Sequence, residues 1–199
     1  MSSGRVRYSI AYIQSLYDSG ENRSMLENLI RAFRGIQALP PDNENSFFYL
    51  GSLHGMPFNK PGDDTHTNDE HWWGGYCWHD TILFPTWHRI YLLKLEDALR
   101  SIPGCQDVTL PFWDELANVD DPEQPVIPTV LTSPNFDLDG RTDNPLFSYR
   151  LQKALDKKEA NNMYSKPEGY NTVRYPFSGE HHAGIIIYTV ILTVVVFQA

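Results

Sequence analysis

The segment "PTWHRIYLLKLEDALRS", from Pro85 to Ser101, constrains the fold more than any other. His88, Leu92, Leu95 and Leu99 fall at offsets of 4, 7 and 11, so on a helix turning about 100° per residue they share one face. Pro85 suits a first helical position, and "IPG" ends the helix after Ser101. A helix with such a stripe must bury it against other elements. Burying it takes His88 into the core. A histidine on an apolar face is either a hydrogen-bonded core residue or a metal ligand, and the stripe alone fits both.

His79 lies nine positions before His88. Nine helical steps would put it on the opposite side, so the two converge only if His79 sits in non-helical chain ahead of Pro85. Gly74-Gly75 and Pro85 provide for that. His54 falls in or just past the last turn of another helical stretch, and Gly55 after it lets the backbone turn sharply. Three neutral imidazoles would make a site for a metal such as copper or zinc. The spacing does not choose between them, and neither H-E-x-x-H nor a paired C-x-x-C is present. Asp80, Arg89, Glu96 and Asp114 are candidates to orient imidazole N–H groups or balance charge. Each fits an ordinary helix or loop charge as well. His66 and His71 read as exposed loop residues.

The remaining pattern is mainly α. "SMLENLIRAFRGIQALPP" opens with Ser24 and Glu27 in capping-box spacing, continues with Leu26, Leu29, Ile30, Phe33 and Ile36, and stops at Pro40-Pro41. A short helix is expected from Glu44 to Leu53, with Phe47 and Leu50 on one face. Residues 59–76 read as a polar loop, and 107–144 as a long irregular connection rich in proline and acid. Asn144-Pro145 is expected to start a helix running to about Glu159, with loop again over 161–180. The 199 residues suffice for one domain with a real core. With 16 basic and 25 acidic residues the net charge is −9, which argues against nucleic acid and anionic membrane as partners. Cys77 and Cys105 make no disulfide framework, and a single bridge between them stays open. The first twenty residues lack the apolar run of a signal peptide, which favours the cytoplasm. Asn22-Arg23-Ser24 fits a glycosylation acceptor, although Ser24 also serves as a helix cap.

His54-Gly55 followed by "YCWHDTILFPTWHR", together with "SFFYLGSLHGMPF" and "VTLPFWDE", resembles the first copper-binding half of fungal tyrosinases and catechol oxidases, the type-3 copper proteins. The resemblance covers residues 5–179. It implies a four-helix bundle around a metal pair. It implies that His54, His79 and His88 hold the first copper, and that Cys77 is placed for the thioether to His79 that fungal members often carry. It implies O2-dependent oxidation of phenols or catechols to quinones, by monooxygenase or oxidase chemistry, at two coppers each on three histidines. Glu115 stands where a tryptophan is more usual in the family.

The second copper site is not matched. It takes two histidines four apart on one helix and a third from another, whereas after His88 only His181 and His182 occur. Adjacent histidines point about 100° apart on a helix and to opposite faces of a strand. Residues 1–180 are therefore expected to form an incomplete tyrosinase-like domain with one visible copper site. Residues 181–199 are expected to be a tail foreign to it. The apolar run Ile185–Phe197 is 13 positions, short of the about 20 a spanning helix needs, and β-branched enough to favour a strand. Two functional expectations follow: a phenol or catechol oxidase completed by dimerisation of two chains, or an inactive chain binding a single copper. Because metal binding contributes to folding free energy, the isolated chain is expected to be marginal without copper. Thermal unfolding with and without copper tests this. A two-state, copper-independent transition at ordinary mesophile temperatures would contradict it.

Overall fold

The computed structural model describes residues 5–54, 81–114, 127–155 and 166–172. The described elements, in order, are α1 (Ile10–Ser19), α2 (Ser24–Ala38), α3 (Phe47–His54), α4 (Phe84–Arg100), α5 (Thr129–Thr132), β1 (Asn135–Leu138) and β2 (Arg141–Asp143). The architecture is mainly helical, as expected. α2 lies at its centre and packs against α1, α3 and α4. Its buried residues include the five that the helical spacing picked out, Leu26, Leu29, Ile30, Phe33 and Ile36. They share one core with Leu92, Leu95 and Leu99 of α4, Ile10 and Ile13 of α1, and Phe47 and Leu50 of α3.

Helix ends follow local chemistry. The Ser9 hydroxyl caps α1 by accepting from the Tyr12 amide at 3.1 Å, and Gly20 closes it in the left-handed region at φ 76°. This helix was not picked out in the sequence, although Ile10, Ile13 and Leu16 mark its buried face. The capping box expected at Ser24 does not form. Arg23 already has helical dihedrals, so Ser24 is itself helical and its hydroxyl donates back to Asn22 Oδ1 at 2.8 Å. An N-cap needs a non-helical backbone for its side chain to reach the third amide. α3 begins at Phe47 rather than Glu44 because Ser46 caps it, accepting from the Tyr49 amide at 3.0 Å.

A fully buried carboxylate ties the N-terminal segment to α4. Glu96 accepts from Arg5 Nη1 at 2.9 Å, Arg7 Nε at 3.2 Å and the Leu110 amide at 2.8 Å. A buried charge is tolerated only when paired and hydrogen-bonded in this way. The same segment bridges Ser9 to Phe112 in parallel and exchanges backbone bonds with it.

Two expectations for the second half are corrected. The connection over 107–144 contains a short helix and an antiparallel hairpin, β1 with β2. Asp139 and Gly140 form its turn with φ 53° and 74°, as a two-residue loop of the primed type requires. The hairpin is clamped to α2. Arg34 donates to the Phe136, Leu138 and Asp143 carbonyls, and Arg31 makes a two-bonded ion pair with Asp139. The Arg31 hydrogen bond and charge hold the Asp139 carboxyl below the usual carboxylate range. The helix expected from Asn144 is also absent over its described part. The Asn144 side chain donates to Val130 and Ser133 carbonyls and accepts from the Leu146 amide, turning the chain. Beyond it the Leu151 and Leu155 amides donate to Tyr170 and Lys166 carbonyls, and the Tyr149 amide donates to the Thr172 hydroxyl. Pairing of that kind between two segments needs extended backbone. Tyr149 and Leu151 are buried with exposed Arg150 between them, a period of two.

Cys105 is a free, buried thiol, and burial pushes its pKa up. The possible partner Cys77 lies outside the described residues, as do the tail over 181–199 and the histidines at 66, 71, 181 and 182. Among the described residues no helix is long and apolar enough to cross a membrane.

Gly35 shows how closely α2 packs. A Cβ there would meet three side-chain carbons of Ile102 at 2.7–2.8 Å. Gly35→Ala is therefore expected to lower the unfolding free energy by about 1 kcal/mol, overpacking of about 1–3 kcal/mol outweighing about 1 kcal/mol of helix propensity. Urea denaturation of the single variant and of its combination with Ile102→Ala checks this. A Gly35→Ala chain more stable than the parent would contradict the close approach.

Candidate metal centre

His54 is the last residue of α3, and His88 lies just over one turn into α4. Both helices pack on α2, which brings the two imidazoles together inside the protein. His88 is 3% exposed and His54 6%. Their Nε2 atoms are 3.4 Å apart.

The backbone selects the tautomer of His88. Its Nδ1 is 2.7 Å from the Phe84 carbonyl oxygen, one turn earlier in the same helix. A carbonyl only accepts, so Nδ1 carries the proton and the neutral ring keeps its lone pair on Nε2. That lone pair is what a metal uses, and a backbone acceptor on the other nitrogen is the usual support for a ligating histidine. Imidazole nitrogens at about 2.0–2.1 Å from one metal stand about 3.3–3.6 Å apart in tetrahedral to trigonal geometry. The observed separation falls within that interval.

Aromatic side chains of α4 surround the pair. Trp87 lies edge-on to both rings, with centroids 5.8 Å from His54 and 4.9 Å from His88. Tyr91 stacks on Trp87 at 5.1 Å and lies 5.7 Å from His54. Phe84 sits 4.1 Å from His88. Phe84, Trp87 and Tyr91 follow one another at spacings of three and four, one stripe of the helix. That spacing is visible in the sequence, beside the stripe of His88, Leu92, Leu95 and Leu99.

None of the other sequence candidates that are described joins the pair. His79, Cys77, Asp80 and Glu115 lie outside the described residues, and among the described residues no group of three or more His, Cys, Asp or Glu side chains comes together. Among the described residues Glu96 orients no imidazole. Eight residues along α4 place it about 12 Å from His88 along the axis, and its oxygens bind Arg5, Arg7 and Leu110. Arg89 is about 100° round the helix from His88 and exposed. Asp114 is exposed at the end of the segment that follows the bridge to Ser9.

Fold and site together define a helical protein with a buried imidazole pair suited to a metal. Residues 44–183 match the family described as the common central domain of tyrosinase. The chain is 52% identical to the tyrosinase HcTyr2 of Hahella sp. (strain CCB-MM4) over 185 residues, covering 87% of this chain and 32% of that protein. It is 47% identical to a tyrosinase of Aspergillus oryzae over 161 residues, covering 79% and 28%. In structure it is similar to a tyrosinase from Burkholderia thailandensis, with TM-score 0.71, 50% identity and coverage of 88% of this chain and 34% of that one. This chain belongs to the tyrosinase family. It spans about a third of the length of these relatives. Tyrosinases are copper proteins with a helical bundle core, which accords with the mainly α architecture and with the chemistry of the donor pair.

Nitrogen-15 NMR of the imidazoles tests the tautomer. His88 is expected to give the shifts of an Nδ1-protonated neutral ring, and an Nε2-protonated pattern would contradict the bond to Phe84.

Proposed function

We propose that this chain binds one copper through His54, His79 and His88 and serves in a tyrosinase-type oxidation of phenols or catechols by O2. The observation that carries this is the buried Nε2 pair of His54 and His88, lying at metal-ligand spacing inside a region matched to the tyrosinase central domain. His79 joins the set on the strength of its place in "YCWHDTILFPTWHR". Cys77, two residues before it, is the candidate for a thioether that would restrain the His79 ring.

Copper held there would supply one-electron redox chemistry between a phenolic substrate and O2. The chain's own residues do the rest. The Phe84 carbonyl keeps the proton on His88 Nδ1, so the ring presents Nε2 without a competing tautomer. Trp87 and Tyr91 exclude water from the pair. Phe84, 36% exposed and against His88, adds an apolar ring at the edge of the site.

The imidazole pair by itself also fits a second reading, a chain that holds a single copper without turnover of its own. Pairing of two chains would supply six histidines. Copper per chain, measured by elemental analysis after reconstitution and gel filtration, is expected to be one. His88→Ala and His54→Ala are each expected to lower it several-fold. O2-dependent quinone formation from catechol in a dimer supports the oxidase with a shared site. One copper in a monomer without turnover supports the single-copper chain. No bound copper, or copper unaffected by both substitutions, would overturn the site itself.

A further inference from the structure

We propose that Tyr91 is a positioning residue that sets the separation of His54 from His88, given that this pair binds copper as proposed above. The Tyr91 hydroxyl donates to the Leu50 carbonyl at 2.9 Å, and the bond is buried. Leu50 lies four residues before His54 in α3. In an α-helix the carbonyl of residue i accepts from the amide of i+4. The Leu50 oxygen is therefore the acceptor for the His54 amide as well, and its two lone pairs allow both bonds. Tyr91 is thus linked to the backbone of His54 through one oxygen atom. On α4, Tyr91 lies one turn from His88, on the same face. The route between the two imidazoles is one turn of α4, one hydrogen bond and one turn of α3.

The need for such a tie follows from the lengths of the helices. α4 has 17 residues, and His88 is oriented within it by the Phe84 carbonyl. α3 has only 8 residues and His54 is its last. An eight-residue helix is unstable on its own, and the final turn is the part that frays. Its end is held by tertiary contacts, and Tyr91 makes a directional one there. The ring contributes too, resting against His54 and stacked on Trp87. Phenylalanine would supply that packing. A hydroxyl placed in a buried position is worth its desolvation only if it finds an acceptor, and the acceptor found is the carbonyl beneath His54.

Tyr91→Phe in the full chain tests the proposal, with Tyr149→Phe as control. Tyr149 is also buried, and its hydroxyl bonds Gln152 rather than α3. Two readouts are needed. The first is Cu(II) titration followed by electron paramagnetic resonance, in which Tyr91→Phe is expected to weaken binding about tenfold and change the copper hyperfine pattern, as loss of a supporting hydrogen bond does at other metal sites. The second is the ring-to-ring nuclear Overhauser effect between His54 and His88 in the copper-free chain, expected to weaken in Tyr91→Phe alone. Replacing Tyr91 by 4-aminophenylalanine, which keeps a donor, is expected to restore both, and 4-methylphenylalanine is not. That pair decides the matter if the phenylalanine variant fails to fold. If the parent chain takes up no copper, the copper assignment falls by itself and the Overhauser effect decides the role of Tyr91. Tyr91→Phe with parental ring contacts, or equal changes in Tyr149→Phe, would overturn the positioning role.

Discussion

Burial of the apolar face of α4 against α2 is the contact on which the rest of the structure depends. Leu92, Leu95 and Leu99 meet Ile30, Phe33 and Ile36 in one core. Each such side chain contributes roughly 1.5–3 kcal/mol when withdrawn from water, so the interface outweighs any single polar contact in the molecule. His88 lies on the same face one turn before Leu92. It is carried into the interior by residues that have no interest in metals. α3 then docks on α2 and delivers His54 to the same place. The imidazole pair is thus a by-product of how two apolar helices cover a third, trimmed by a few directed hydrogen bonds.

Those hydrogen bonds share a device. Backbone carbonyls with a spare lone pair hold side chains in register. The Phe84 carbonyl takes the proton of His88 Nδ1, and the Leu50 carbonyl takes the hydroxyl of Tyr91. Away from the site, three carbonyls of the hairpin segment are gathered by the guanidinium of Arg34. Arg34 is buried, and burial pushes its pKa down from the ordinary guanidinium range, although Asp143 nearby opposes that. It fixes the hairpin to α2 through shape and donor geometry, as the planar fork of arginine allows. Glu96 does the reverse, a buried acceptor collecting three donors from two other segments, Arg5 and Arg7 of the N-terminal one and the Leu110 amide.

Membership of the tyrosinase family gives these contacts a chemical setting. The described part carries two histidines at ligand spacing within an aromatic surround, in a chain that spans about a third of its curated relatives. The stripe of α4 that closes the core carries His88, and the aromatic residues of the adjoining stripe line the imidazole pair. Any change in the way α3 and α4 sit on α2 therefore alters the donor pair directly.

Periodicity in the sequence determined α2 and α4, because an apolar stripe repeating every 3.6 residues has one way to be buried. It also placed His88 on that stripe and left His54 at the end of a short helix. Residues that answer to distant partners were decided by tertiary structure. Asn144 to Leu155 has residues compatible with either period, and pairing with 166–172 made it extended. Ser24 lost its capping role because Arg23 had already turned helical. Glu96 has the spacing of an ordinary helix charge, and only the approach of Arg5, Arg7 and Leu110 made it a buried anchor. The hairpin was missed although Asp139-Gly140 is a strong local turn signal, and its attachment to Arg34 more than a hundred residues away left no local signal. Local pattern specifies which face of an element must be hidden. Which partner hides it, and which buried polar group meets which acceptor, depends on contacts between segments far apart in the chain.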